Sequence, residues 1–275
     1  MDQRKIDLRG NIINIAESIG KGFPVIFVHG NSLSSKVFLH QIESDLGNHY
    51  RFIAFDFPGH GESEKSGNPE KDYSIKGMIN TLTGVVKALN LKEYIIVAHS
   101  LGGHVAIQSS PQLNGLKGLM LFGTPPIPIP PVFSEYFLPN PALNFLFKGA
   151  LEKNEMDELT SAMIAEKGEA RDFILSDIIK TDPPVRDNIG KSIMECDFGG
   201  DEIQILKQLQ IPISVVHGLR DTIVNLDYIK KVSFKNLWEN EIKIIPNAGH
   251  CPQLENAKEF NTLLGRFLDF VTKKP

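Results

Sequence analysis

Cysteine is scarce in this 275-residue chain: Cys196 and Cys251 are the only two. Two cysteines make no disulfide framework, and no CxxC pair or Cys/His cluster has the spacing of zinc ligands. Both thiols are expected to stay reduced, in a cytoplasmic protein. Long apolar runs are missing too. None approaches the roughly 18 residues of a membrane span. The start, Met1-Asp2-Gln3-Arg4-Lys5, has no apolar stretch behind it to act as a secretory signal. Positive charge is short: 29 Lys and Arg stand against 33 Asp and Glu, a formal charge of −4. A chain without a broad basic field does not hold a phosphate backbone, so nucleic acid is not an expected partner. None of the eight histidines lies in an H-x-H-x-D-H type of cluster, so neither a metal nor an organic cofactor is expected. What remains is a globular composition, 41% hydrophobic, with enough length for one large domain or two small ones.

Short β-branched and aromatic runs recur along it. They are Val25–Val28, Phe52–Phe55, Tyr94–Val97, Leu119–Phe122, Ile213–Val216 and Ile242–Ile245. Most lack in/out alternation and read as strands covered on both faces. Helical patterns lie between several of them, at Ser74–Asn90, Leu101–Ser110 and, after the last, Ala257–Thr272. This alternation implies an α/β fold: a mostly parallel central sheet with helices on both faces. Ile12–Ile15 adds an antiparallel strand at the front. The rhythm breaks after the proline run Thr124–Pro131, which suits neither helix nor central strand. Helical spacing returns at Asn154–Lys167 and Ala170–Thr181, and strands resume only at Ile213. Residues 1–123 and 209–275 therefore read as the core. Residues 124–208 read as a helical lid inserted before the penultimate strand, over the sheet edge where open α/β folds bind ligands.

Four loops carry chemistry, each directly after a strand. Ala98-His99-Ser100-Leu101-Gly102-Gly103 stands between a strand and a helix, the context of a nucleophile elbow, with Ala98 in place of the usual first glycine. Read alone it could equally be a serine capping a helix. Val28-His29-Gly30-Asn31-Ser32 is the upstream loop that supplies one oxyanion donor, Asn31; the other is the N–H of Leu101. His29 itself reads as a hydrogen-bonded turn residue. Asp221, in His217–Asp221, and His250, in Pro246–His250, complete the order Ser100…Asp221…His250, with Asp227 the next candidate acid. His104 reads as buried against the sheet, and Cys251 as a packing residue.

At these residues the chain resembles the α/β-hydrolase superfamily over nearly its whole length. The loop Phe55–Ser63 resembles that family's turn after the second core strand, so Asp56 and His60 are read as structural. A narrower resemblance, to the α/β-hydrolase N-acyl-homoserine lactonases, is carried by His29–Ser32, Ser100–His104, Gly118–Pro126, Asn236–Glu239 and Asn247–His250. That resemblance implies an acid at Asp221, where the family also uses glutamate, and a lid tyrosine assisting the substrate. This chain has no tyrosine between Tyr136 and Tyr228.

The expected activity is serine-dependent opening of an ester or lactone, foremost an N-acyl-homoserine lactone. The alternatives are a carboxylesterase or carbon–carbon bond hydrolase of the same fold and, from another class, a hydrolase-fold ligand receptor. Haloalkane dehalogenases and epoxide hydrolases place aspartate at the elbow, and Ser100 argues against both. Partners are a small ester or lactone with an apolar acyl part, and the chain itself as monomer or homodimer. Asn31, Phe133 and Phe137 are the expected substrate contacts. Phe133 and Phe137 belong to an apolar stretch, Ile127, Ile129, Val132, Phe133, Phe137, Leu138, Phe145, Leu146 and Phe147. Most of it is expected to pack the lid onto the body, and the rest to hold an acyl chain at ~0.8 kcal/mol per buried methylene.

Overall fold

The computed structural model describes residues 2–166, 168–195, 197 and 199–273. Cys196 and Lys167 lie outside them, so the readings of the Cys196 thiol and of a helix reaching Lys167 do too. Eight strands form one sheet: β1 (Asp2–Leu8), β2 (Asn11–Glu17), β3 (Pro24–Val28), β4 (Arg51–Phe55), β5 (Tyr94–His99), β6 (Leu116–Phe122), β7 (Ile213–Gly218) and β8 (Lys243–Ile245). Their order is β1-β2-β4-β3-β5-β6-β7-β8. From β4 to β8 all neighbours are parallel, whereas β2 joins β4, and β1 joins β2, antiparallel. The apolar runs form the centre because both faces are covered, and every residue of β5 is buried.

Strand β1 is an addition to the sequence reading. Its residues Asp2 to Lys5 are exposed, so no apolar pattern betrays it. It is held as a hairpin by Arg9 and Gly10, whose φ of 58° and 94° suit the tight turn that matches strand twist. Strand order reverses between β3 and β5, which opens a crevice at their carboxyl ends. Asn31 and Ser100 follow those two strands.

Helix α1 (Ile75–Ala88) is capped by the Ser74 hydroxyl, which accepts from the Gly77 N–H at 3.0 Å, and buries a stripe through Met78, Leu82 and Val85. Helix α2 (Leu101–Ser109) is almost wholly buried. Between β6 and β7 come a 3₁₀ segment (Pro141–Phe147) and helices α3 (Lys153–Met163), α4 (Glu169–Lys180), α5 (Pro184–Met194) and α6 (Glu202–Gln208). The sequence reading contains neither α5 nor α6, although Pro184 opens the first and the Asp201 carboxylate caps the second through the Gln204 N–H. Helix α7 (Ala257–Thr272) closes the chain.

Buried polar groups fasten this insertion to the body. The Ser34 hydroxyl, on the loop after β3, reaches both carboxylate oxygens of Asp177 on α4 at 2.8 Å. Burial pushes the Asp177 carboxyl up to about 7, the Asp56 carboxylate adds to this, and the Ser34 bond opposes it. An unfolded aspartate titrates near 3.9. The folded state therefore holds the proton more tightly, and this group's contribution falls as pH rises from about 4 through about 7. Asp177→Asn is expected to exceed the wild type by only about 1.5 kcal/mol at pH 5 and by about 4 kcal/mol at pH 8. Urea unfolding at the two pH values checks this; an equal difference at both would remove Asp177 as the titrating group.

Candidate active site

Strand β5 ends at His99 and helix α2 begins at Leu101, leaving Ser100 alone in the turn. Its φ of 51° and ψ of −121° are strained for a residue with a side chain. The strain is held by its neighbours: the Ser100 N–H donates to the Phe122 carbonyl at 2.9 Å, and its own carbonyl accepts from Gly103 at 2.8 Å. A Cβ at position 102 would lie 2.5 Å from the carbonyl oxygens of Val28 and His29. Glycine at that position thus lets α2 start hard against the end of β3.

His250 follows β8, and its Nε2 lies 3.0 Å from the Ser100 Oγ. Its Nδ1 lies 2.9 Å from Asp221 Oδ2, on the loop after β7. A carboxylate only accepts, so Nδ1 carries the hydrogen and Nε2 presents a lone pair to the serine hydroxyl. The other Asp221 oxygen accepts from the N–H groups of Ile223 at 2.8 Å and Val224 at 3.1 Å. Burial works to raise the Asp221 carboxyl; the His250 imidazole beside it, His217 and the Ile223 N–H outweigh this and hold it below the usual range. Asp227 is elsewhere: its carboxylate is exposed and pairs with Lys230 at 3.4 Å.

Asn31 and Leu101 border the same cavity as Ser100, a space of about 810 Å³ under the insertion. Leu101 is the first residue of α2, so its N–H has no acceptor within the helix. The Asn31 side chain is tied down at both ends: Nδ2 donates to the Leu146 carbonyl at 2.8 Å, and Oδ1 accepts from Ser32 Oγ at 3.0 Å. Ser32 Oγ in turn accepts from Arg186 on α5 at 3.2 Å. Arg186 is buried, and its guanidinium is spent on the carbonyls of Lys148, Gly149 and Ile178.

The chain as a whole is similar to known proteins. A family model described as the alpha/beta hydrolase family matches residues 25–263. The chain belongs to the alpha/beta hydrolase family. Among curated hydrolase-fold relatives, the AB hydrolase superfamily protein YisY of Bacillus subtilis (strain 168) is 24% identical over 267 residues, covering 91% of this chain and 93% of its own. The non-heme chloroperoxidase CPO-A1 of Kitasatospora aureofaciens is 27% identical over 270 residues, covering 91% and 94%. Among solved structures, the N-acyl homoserine lactonase AidH complexed with N-butanoyl homoserine superposes with a TM-score of 0.94. It is 31% identical and the match covers 100% of this chain and 99% of that one.

Two readings of this hydrolase need correction. His104 does not pack against the sheet: its Nδ1 meets the Glu202 carboxylate of α6 at 2.9 Å, and its ring borders the cavity. The apolar stretch serves the cavity more than lid packing. Ile127, Phe133, Phe137, Leu138, Leu146 and Phe147 line it, whereas Ile129 and Val132 are 48% and 45% exposed and Phe145 packs on the core. Tyr136 and Tyr228, which bound the tyrosine-free stretch, are not part of the cavity lining. Tyr136 packs on Tyr228 with ring centroids 4.6 Å apart, and their hydroxyls bind the backbone of Val132 and Pro126.

Two positioning residues of the hydrolase escaped the sequence reading. His99 Nε2 donates to the His250 carbonyl at 2.9 Å, and burial drives its imidazole well below the ordinary histidine range. Glu255 accepts from the N–H groups of Gly249 at 2.8 Å and Ala165, joining the histidine loop to the insertion. A histidine beside a serine motif and a glutamate five residues past a histidine carry no local signal. By contrast, Asp56 fits its structural reading, accepting from Ser35 N–H, Asn14 Nδ2 and Glu62 N–H. His29 does as well: its Nε2 accepts from the Phe57 N–H at 3.0 Å. Cys251 is a buried free thiol. Among the described residues no cluster of three or more His, Cys, Asp or Glu could hold a metal ion, and no helix is long and apolar enough to cross a membrane.

Proposed function

We propose that this chain hydrolyses N-acyl-homoserine lactones through Ser100, His250 and Asp221. The observation that carries the reading is the unbroken line from Asp221 Oδ2 through His250 to Ser100 Oγ, at 2.9 and 3.0 Å, opening into an apolar cavity. The full-length likeness to AidH, whose structures include complexes with N-hexanoyl homoserine lactone and N-butanoyl homoserine, supports the substrate class. Residues 124–208 act as the lid.

The Ser100 oxygen attacks the lactone carbonyl as its proton passes to His250 Nε2. Negative charge on the carbonyl oxygen is met by the N–H groups of Leu101 and Asn31, helped by the positive end of α2. The ring C–O bond breaks, and His250 returns the proton to the departing alkoxide, which stays tethered to the acyl group. Water then gives a proton to His250 while its oxygen attacks the acyl-enzyme. Ser100 leaves reprotonated, and the product is an open-chain hydroxy acid. Phe133, Phe137 and Leu146 hold the acyl chain.

The test is turnover of p-nitrophenyl esters and of acyl-homoserine lactones across a chain-length series. Ring opening, followed by proton release, is expected, with kcat/KM rising about threefold or more per added methylene until the cavity is filled. Ester cleavage without ring opening would overturn the lactone reading and leave the esterase; binding without turnover of either would leave a receptor.

A further inference from the structure

The cavity wall is mostly apolar, but Asn31, Ser134, Asn140, Asn144 and Asp187 also border it, and so does one buried polar pair, His104 and Glu202. His104 lies four residues beyond Ser100, about 6 Å further along the axis of α2. Its partner Glu202, on α6, is 1% exposed and fully engaged. The carboxylate accepts from His104 Nδ1 at 2.9 Å, from the Ile127 N–H at 2.8 Å and from Gln108 Nε2 at 3.4 Å. Because a carboxylate only accepts, it fixes a hydrogen on Nδ1, and in the neutral form of the ring Nε2 keeps a lone pair. Among the described residues no donor meets that nitrogen, although the ring borders the cavity. An acceptor held in one tautomer, in the same lining as Ile127, Phe133 and Leu143, is wasted on a plain alkyl chain.

We propose that His104, oriented by Glu202, is a specificity-determining residue that accepts a hydrogen bond from a hydroxyl on the acyl chain, two to four carbons from the reacting carbonyl. This rests on the hydrolase reading above. It narrows the substrate to hydroxylated acyl groups, because an acceptor at Nε2 rewards an O–H and gives nothing to a keto oxygen or a methylene.

The experiment compares pairs of acyl-homoserine lactones, and of p-nitrophenyl esters, that differ only in a hydroxyl at carbon 3 or carbon 5. The wild type is expected to favour the hydroxylated member at one of these positions by about three- to tenfold in kcat/KM, most of it in KM. His104→Leu brings that ratio to about one. His104→Asn, shorter but able to pair with Glu202, does the same, and it decides the matter if the leucine variant does not fold. A wild type indifferent to the hydroxyl at both positions, or a preference that survives in a variant with a cooperative melt, overturns the assignment of His104. Failure of the wild type to turn over any pair, hydroxylated or not, overturns the hydrolase reading itself and this inference with it.

Discussion

Ser100→Ala is expected to lower ester and lactone turnover by about a millionfold while leaving the melting temperature within a few degrees of the wild type. The nucleophile is lost outright, and no neighbour can replace it. Cys251 is buried, and burial holds its thiol well above the ordinary range, so it offers no thiolate. Stability is spared because the Ser100 side chain makes a single hydrogen bond, to His250. The strained backbone is kept in place by the Phe122 and Gly103 contacts, which belong to the main chain. Single-turnover kinetics with a p-nitrophenyl ester, beside a thermal melt, checks both halves. Turnover above about a thousandth of the wild-type rate from a folded variant would sink the serine mechanism.

Asp221→Asn is expected to cost about 10⁴-fold in kcat, with KM little changed. The surroundings dictate how an amide would sit. The N–H groups of Ile223 and Val224 point at one oxygen, so the carboxamide oxygen must face them. The NH2 group is then turned toward His250 Nδ1, which can only accept from it. The ring hydrogen moves to Nε2, facing Ser100, and the histidine no longer takes the serine proton. A pH profile separates this from simple misfolding. Tautomer reversal leaves a slow rate that climbs with pH as hydroxide takes over the base's work. A variant that keeps wild-type kcat would instead move the acid elsewhere.

Much of this architecture was legible because the buried parallel strands announce themselves as short apolar runs, and the chemistry sits in the loop straight after each. Tyr94–Val97 and Ile213–Val216 located the loops of Ser100 and Asp221 without any contact information. Helix α7 was read to its observed ends because Phe260, Leu264, Phe267 and Leu268 mark one face. Strand β1 was not legible: edge strands carry charge on purpose, and Asp2 to Lys5 look like a loop. The buried faces of helices α5 and α6 hold Arg186 and Glu202, which a search for apolar periodicity passes over. The pairing of His104 with Glu202 spans 98 residues of sequence and is invisible until the insertion folds over α2.

The buried guanidinium of Arg186 has a bearing on how such enzymes could be re-engineered. Through Ser32 it reaches Asn31, so helix α5 and the loop after β3 are joined by hydrogen bonds into one mechanical unit. Transplanting residues 124–208 from a relative would swap much of the cavity wall and, in the same stroke, unmoor Asn31. A workable chimera must carry Ser32 and Ser34 along with the grafted segment, or choose a donor whose own arginine lands on the same serine.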